Sequence, residues 1–267
     1  MINPRRSFAI FLRYLYLIRG SFSRVMPLFA WVAIDIVLWG FISKYLNTVT
    51  GGMNFVPTLL GAVLLWDFFI RVMQGVTMTF FEDVWSRNFL NFFATPMLIS
   101  EYLGGLIISG VATSLVGLAA MMILAGAVFG LSFFTVGAAL APFLLTLFIF
   151  GIALGVLACA LVLRLGPAAE WFIWPIPALV SPFAGVFYPV STLPRWMQLV
   201  AHALPPSTVF EQMRAIVGGG AADWAALGGA IALSLLYLFA AAWTFARTYR
   251  FAVRVGLIAR YSAETVS

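Results

Sequence analysis

Residues 103–129 run without one charged side chain. A bilayer core of about 30 Å is crossed by ~20 apolar residues in helix, so this stretch is long enough to span it. Five further stretches reach or approach the same length, at 26–46, 55–81, 135–163, 171–188 and 224–245. Several are long enough to require tilt or extension beyond the membrane. The composition agrees, with 63% hydrophobic and 9% charged residues and a mean hydropathy of +1.05. A soluble domain carries charge on about a quarter of its residues.

The expectation is an all-α integral membrane protein of six transmembrane helices, forming a single membrane domain over residues 1–267. Residues 3–25 differ from the spans. Phe8, Phe11, Leu15, Ile18, Phe22 and Val25 recur every three or four positions, with Arg6, Arg13 and Arg24 on the far side. Such a basic amphipathic helix lies in the headgroup region with its arginines towards anionic lipid; the alternative is an extension of the first span. The fifth stretch contains Pro175, Pro177 and Pro182, and the apolar piece after it, 196–204, is too short to cross. That piece reads as an outer re-entrant or interfacial hairpin over 189–217, with short helices near 194–203 and 207–217 and Trp196 at the boundary.

Arginine placement sets the orientation. With the N-terminus inside, the inner side receives Arg5, Arg6, Arg13, Arg19, Arg24, Arg87, Arg164 and every arginine from Arg247 onward; the outer side receives Lys44, Arg195 and Arg214. Both termini are then cytoplasmic, in the cytoplasmic membrane. No cleavable leader is expected, since no short apolar core with a small-residue cleavage site follows Arg5 and Arg6.

The same residues exclude several functions. The basic excess is distributed between apolar runs rather than gathered on a polar face, which argues against nucleic acid. Lys44 is the chain's lysine and Tyr45 follows it, so no G-x-x-x-x-G-K-[ST] phosphate loop exists here. Cys159 and His202 are single of their kind, which disfavours a Cys/His metal cage and rules out an intrachain disulfide. Cys159 reads as a small buried hydrophobe and His202 as an interfacial side chain. Gly126-x-x-x-Gly130 and Gly151-x-x-x-Gly155 permit close helix approach but carry little weight alone. Glu170 is placed to interact with Arg164.

Three ionisable residues lie inside spans, where each is costly unless paired or wetted. Counting at ~1.5 Å per residue puts Asp35 and Arg71 both ~14 Å from the inner face, and Asp67 lies one helical turn from Arg71. The expectation is an Asp35–Arg71–Asp67 cluster between the first two spans, either fixing helix register or touching a substrate. The inner loop, EDVWSRNFLNFFATPMLISE from Glu82 to Glu101, reads as a short amphipathic helix over 84–93 that stops near Thr95-Pro96. Its apolar cluster of Phe89, Leu90, Phe92 and Phe93 suits a cytoplasmic protein partner.

Two segments carry a family resemblance. Gly185-x-Phe187-Tyr188-Pro189, then Leu193-Pro194-x-Trp196, Leu204-Pro205-Pro206 and Glu211-x-x-Arg214, resemble the outer hairpin of the permease subunits of type-2 ABC exporters. Glu82, Arg87-Asn88, Thr95-Pro96 and Glu101 are similar to that family's inner loop. The resemblance implies a coupling helix, with Glu82, Asp83, Arg87, Asn88, Phe89, Leu90, Thr95, Pro96 and Glu101 at the contact with an ATPase. It implies a dimer of permeases, each docking one copy of a cytoplasmic ATPase that binds ATP and Mg, while this chain has no catalytic site, cofactor or metal of its own. The expected activity is ATP-driven export of a hydrophobic or amphipathic molecule, drug-like or lipid. Alternatives are export of a lipid-linked glycan or polysaccharide, a proton-coupled secondary transporter using Asp35 and Asp67, and a membrane-embedded lipid enzyme. The scattered acids oppose the last of these.

Overall fold

The computed structural model describes residues 3–49, 56–86, 95–131 and 137–257, and every regular element within them is helical. In chain order these are α1 (Pro4–Arg19), α2 (Phe22–Val49), a π-type turn (Val56–Leu60), α3 (Gly61–Trp85), α4 (Ile99–Phe129) and α5 (Leu140–Leu165). A 3-10 turn (Pro167–Phe172), α6 (Ile176–Ala184), a second 3-10 turn (Val190–Thr192), α7 (Arg195–His202), α8 (Pro205–Val217) and α9 (Trp224–Val255) complete the chain.

Five helices are long and apolar enough to cross a membrane: Phe29–Val49, Thr58–Trp85, Ile99–Phe129, Gly137–Leu165 and Trp224–Val255. The stretch 171–188 is not among them. Pro175 and Pro177 flank the start of α6, and the nine residues of that helix reach about 14 Å, half a bilayer core.

Most of α3 and α5 is buried, 72% and 67% of their most apolar windows against 22% for α2 and α9. They therefore form the centre, with α9 packed along α5 and α4 along α3. Glycines permit these approaches. A Cβ on Gly75 of α3 would lie 2.8 Å from the Cα of Gly110 on α4, and Cβ atoms on Gly151 and Gly155 of α5 would come within 3.2 Å and 2.9 Å of α3 carbonyl oxygens. Gly151 and Gly155 are thus packing sites within the chain. Gly130 instead ends α4 in the left-handed conformation, φ +65°. Around this centre Phe69, Phe80, Phe143, Phe150, Phe210 and Phe245 are wholly or almost wholly buried. Outward, Leu38 and Phe41 on α2 and Leu236, Phe239 and Trp243 on α9 are exposed, as lipid-facing helices require.

α1 ends before the predicted boundary. Gly20 interrupts the helix, and Phe22 and Val25 already belong to α2. Ser7, Ile10 and Tyr14 are buried, while Phe8 and Leu15 are about half exposed.

Candidate functional site

Three groups of the expected residues converge, and one lies outside the described residues. At the C-terminal end of α3 and the N-terminal end of α4, α1 is strapped down by charge. Glu101, in the first turn of α4, is wholly buried. One carboxylate oxygen accepts from the backbone N–H of Asn3 at 2.7 Å, and the other accepts from the Leu98 N–H at 2.9 Å and from Arg6 Nη1 at 3.2 Å. The Arg6 guanidinium also reaches the Pro96 carbonyl. The helix start, α1 and the Thr95-Pro96 turn thus share one acid. Two turns along α1, Arg13 pairs with Asp83, whose other oxygen accepts from Tyr102 Oη at 2.7 Å.

Asp83 and Tyr102 are wholly buried. Burial lowers the Arg13 pKa from its ordinary value, with Tyr102 and Glu82 pulling the other way, and an arginine remains protonated at physiological pH regardless. α1 can seat this closely because α4 offers Gly104 and Gly105 beneath it, where a Cβ would stand 2.9 Å from Ser7 Oγ and 2.5 Å from Ile10 Cβ. Ser7 Oγ completes the seat by donating to the Glu101 carbonyl at 2.8 Å.

This arrangement corrects one expectation and places several residues of another. Arg6 and Arg13 face protein carboxylates instead of anionic lipid, since an acid buried at a helix end requires a cation more strongly than a headgroup does. Asp83 and Glu101, expected at the ATPase contact, are buried and satisfied inside the chain; Glu82 is half-buried and Thr95 and Pro96 are exposed. The expected coupling helix over 84–93 begins as the last turn of α3, which ends at Trp85. Arg87, Asn88, Phe89 and Leu90 lie outside the described residues. Glu170 accepts from Trp85 Nε1 at 2.9 Å, a link from α3 to the 3-10 turn in place of the expected pairing with Arg164.

The intramembrane charges form the second group. Arg71 donates to one oxygen of Asp67 through Nε and Nη2, both at 3.2 Å, with its stem laid over Gly117 of α4. Asp35 lies within electrostatic reach of both. The three do not close a helix interface, because α2 packs mainly on α4 and touches α3 little. A cavity of about 660 Å³ opens between them, lined by Tyr14 and Ile18 of α1, Trp31 and Asp35 of α2, and Asp67, Arg71, Glu82 and Trp85 of α3. Thr113 of α4 and Trp174, just before α6, also line it.

The third group is the clasp between α6 and α8. Gly185 ends α6 at φ +64°, a conformation that disfavours other residues, and its carbonyl accepts from Arg214 Nη1 at 2.7 Å. Arg214 Nη2 donates to Glu211 at 2.6 Å, and the same Glu211 oxygen accepts the Val190 N–H at 2.8 Å. Tyr188 donates to the Pro182 carbonyl at 2.8 Å. The prolines mark the boundaries: Pro189 precedes the second 3-10 turn, Pro194 precedes α7, and Pro205 occupies the first position of α8, where its missing N–H costs nothing. Trp196 is exposed, with its ring 6.2 Å from Phe183. Cys159 is wholly buried in α5, and His202 is exposed at the end of α7.

Sequence reading missed the partners of the strap, Ser7 and Tyr102. A signal was present, because Arg6 and Arg13 are two turns apart on one helix and Asp83 and Glu101 bracket one connection between long helices. Among the described residues, no group of three His, Cys, Asp or Glu is arranged to hold a metal ion. No protein-family model and no curated protein matches the chain.

Proposed function

We propose that this chain is the transmembrane permease subunit of an ATP-driven exporter of the type-2 ABC class, moving a hydrophobic or amphipathic molecule outward across the cytoplasmic membrane. The observation that carries the reading is the double strap of α1 onto the inner ends of α3 and α4, the helices that flank residues 87–94. A force applied by an engine at that loop passes into α1, α3 and α4 together, since buried ion pairs resist independent movement of the three. The chain has no phosphate loop, so the engine is a separate cytoplasmic ATPase, one per permease in a symmetric homodimer.

The topology that fits this role has both termini inside. It lets the 3-10 turn and α6 cross together as a broken sixth span, holds α1 at the inner interface, and puts the α6–α8 clasp at the outer surface as the re-entrant hairpin. Alternating access then follows from ATP binding shifting the population of inward-open and outward-open states.

Mild-detergent purification from the native membrane with mass spectrometry of retained proteins tests the proposal. A stoichiometric ATPase is expected, lost in Phe89→Asp and Leu90→Asp variants that still insert and purify. Retention of no ATPase in any lipid, together with movement of a substrate by the purified chain without ATP, overturns it.

A further inference from the structure

The cavity between α2 and α3 has a chemistry that selects its ligand. Among the described residues, its intramembrane charges are two carboxylates, Asp35 and Asp67, and one guanidinium, that of Arg71. Arg71 is already held by Asp67. Carboxylates in a largely apolar, membrane-embedded pocket are costly without a countercharge, so the site favours a cation and opposes an anion.

Four of the other lining residues are aromatic. Trp31, Trp85 and Trp174 are all partly exposed, and Tyr14 closes the α1 side. Trp85 is held in position twice, by its Nε1 bond to Glu170 at 2.9 Å and by stacking on Phe81 at 5.5 Å, so it is a pre-organised face. Indole faces attract cations as well as apolar rings. A volume of about 660 Å³ lies inside the ~300–1,000 Å³ range of small-molecule sites.

We infer that this cavity is the binding site for an amphipathic organic cation, an apolar or aromatic body carrying one positive charge, with Asp35 as the countercharge and Trp31, Trp85 and Trp174 as the body's walls. As a transport site it rests on the exporter reading above, deepening it to a substrate class. As a binding site it stands on the cavity alone.

The test uses the purified full chain in detergent, without ATPase or nucleotide, and two probes of nearly equal shape and opposite charge, tetraphenylphosphonium and tetraphenylborate. Tryptophan fluorescence and equilibrium dialysis are expected to show saturable binding of tetraphenylphosphonium that tetraphenylborate does not displace. Asp35→Asn is expected to weaken that binding by about tenfold through loss of one charge-assisted contact. Trp174→Ala removes one wall outside the charge network and is expected to weaken it severalfold; it decides the matter if Asp35→Asn fails to purify as a monodisperse species. Equal binding of the two probes, or unchanged tetraphenylphosphonium affinity in the variants that fold, overturns the inference. Because the assay contains no ATPase, its failure leaves the exporter reading standing, and failure to retain an ATPase leaves the cation site standing.

Discussion

Replacing Arg13 by methionine removes the cation from Asp83 while keeping most of the side chain's volume. Asp83 is wholly buried, and Tyr102 alone then satisfies one of its oxygens. Breaking a buried pair from one side costs about 3–5 kcal/mol because it strands a charge. The Arg13 side chain is 26% exposed, so solvent already screens part of the pair, and the expected loss is at the lower end, about 3 kcal/mol. The chain supplies its own reporter, since Cys159 is its single cysteine and is wholly buried in α5. Where opening equilibrates faster than thiol labelling, about 3 kcal/mol appears as a roughly hundredfold rise in the labelling rate. Asp83→Asn keeps an acceptor for Tyr102 and leaves Arg13 able to reach water, so a rise of about tenfold is expected. The double variant Arg13→Met with Asp83→Asn buries no charge and is expected to label within about tenfold of the parent. Labelling of the double variant at the product of the two single effects would show the residues to be uncoupled and refute the strap.

Gly75→Val is expected to destabilise by at least about 1–3 kcal/mol, because its Cβ would meet the Cα of Gly110 at 2.8 Å and push α3 from α4; Cys159 labelling measures it. Arg214→Leu strips the donor from the Gly185 carbonyl and from Glu211, at an expected cost of about 1–3 kcal/mol. Its effect should be confined to the α6–α8 clasp, read as faster proteolysis at 185–217 with Cys159 labelling unchanged.

The long helices were legible because bilayer thickness imposes a length, and an uncharged apolar run of that length has few other folds. The stretch 171–188 has the composition of a span without the continuity. Composition is read over a window, whereas Pro175 and Pro177 act at single peptide units, so hydropathy alone does not separate a broken segment from a whole one. The clasp residues Gly185, Glu211 and Arg214 were recognised as a group from their motif, yet nothing local in the sequence says that the Glu211 carboxylate closes on the Val190 N–H.

The rotational setting of α1 was read by the rule for interfacial helices, with the arginines towards anionic headgroups. Those arginines have a second destination in protein carboxylates, and the contest is decided by what the protein face lacks. Here that face holds two buried acids, Asp83 and Glu101, at the ends of apolar helices, so the helix turns Arg6 and Arg13 inward and leaves Phe8 and Leu15 for lipid. Tyr14 follows Arg13 and lines the cavity that Asp35 and Trp174 enclose. One helix therefore carries, on adjacent residues, the strap at the base of the inner loop and a wall of the cation site. A displacement of α1 that strains the Arg13–Asp83 pair also reshapes that wall, which under the proposed exporter reading is a short mechanical path between an ATPase at the loop and a ligand in the cavity.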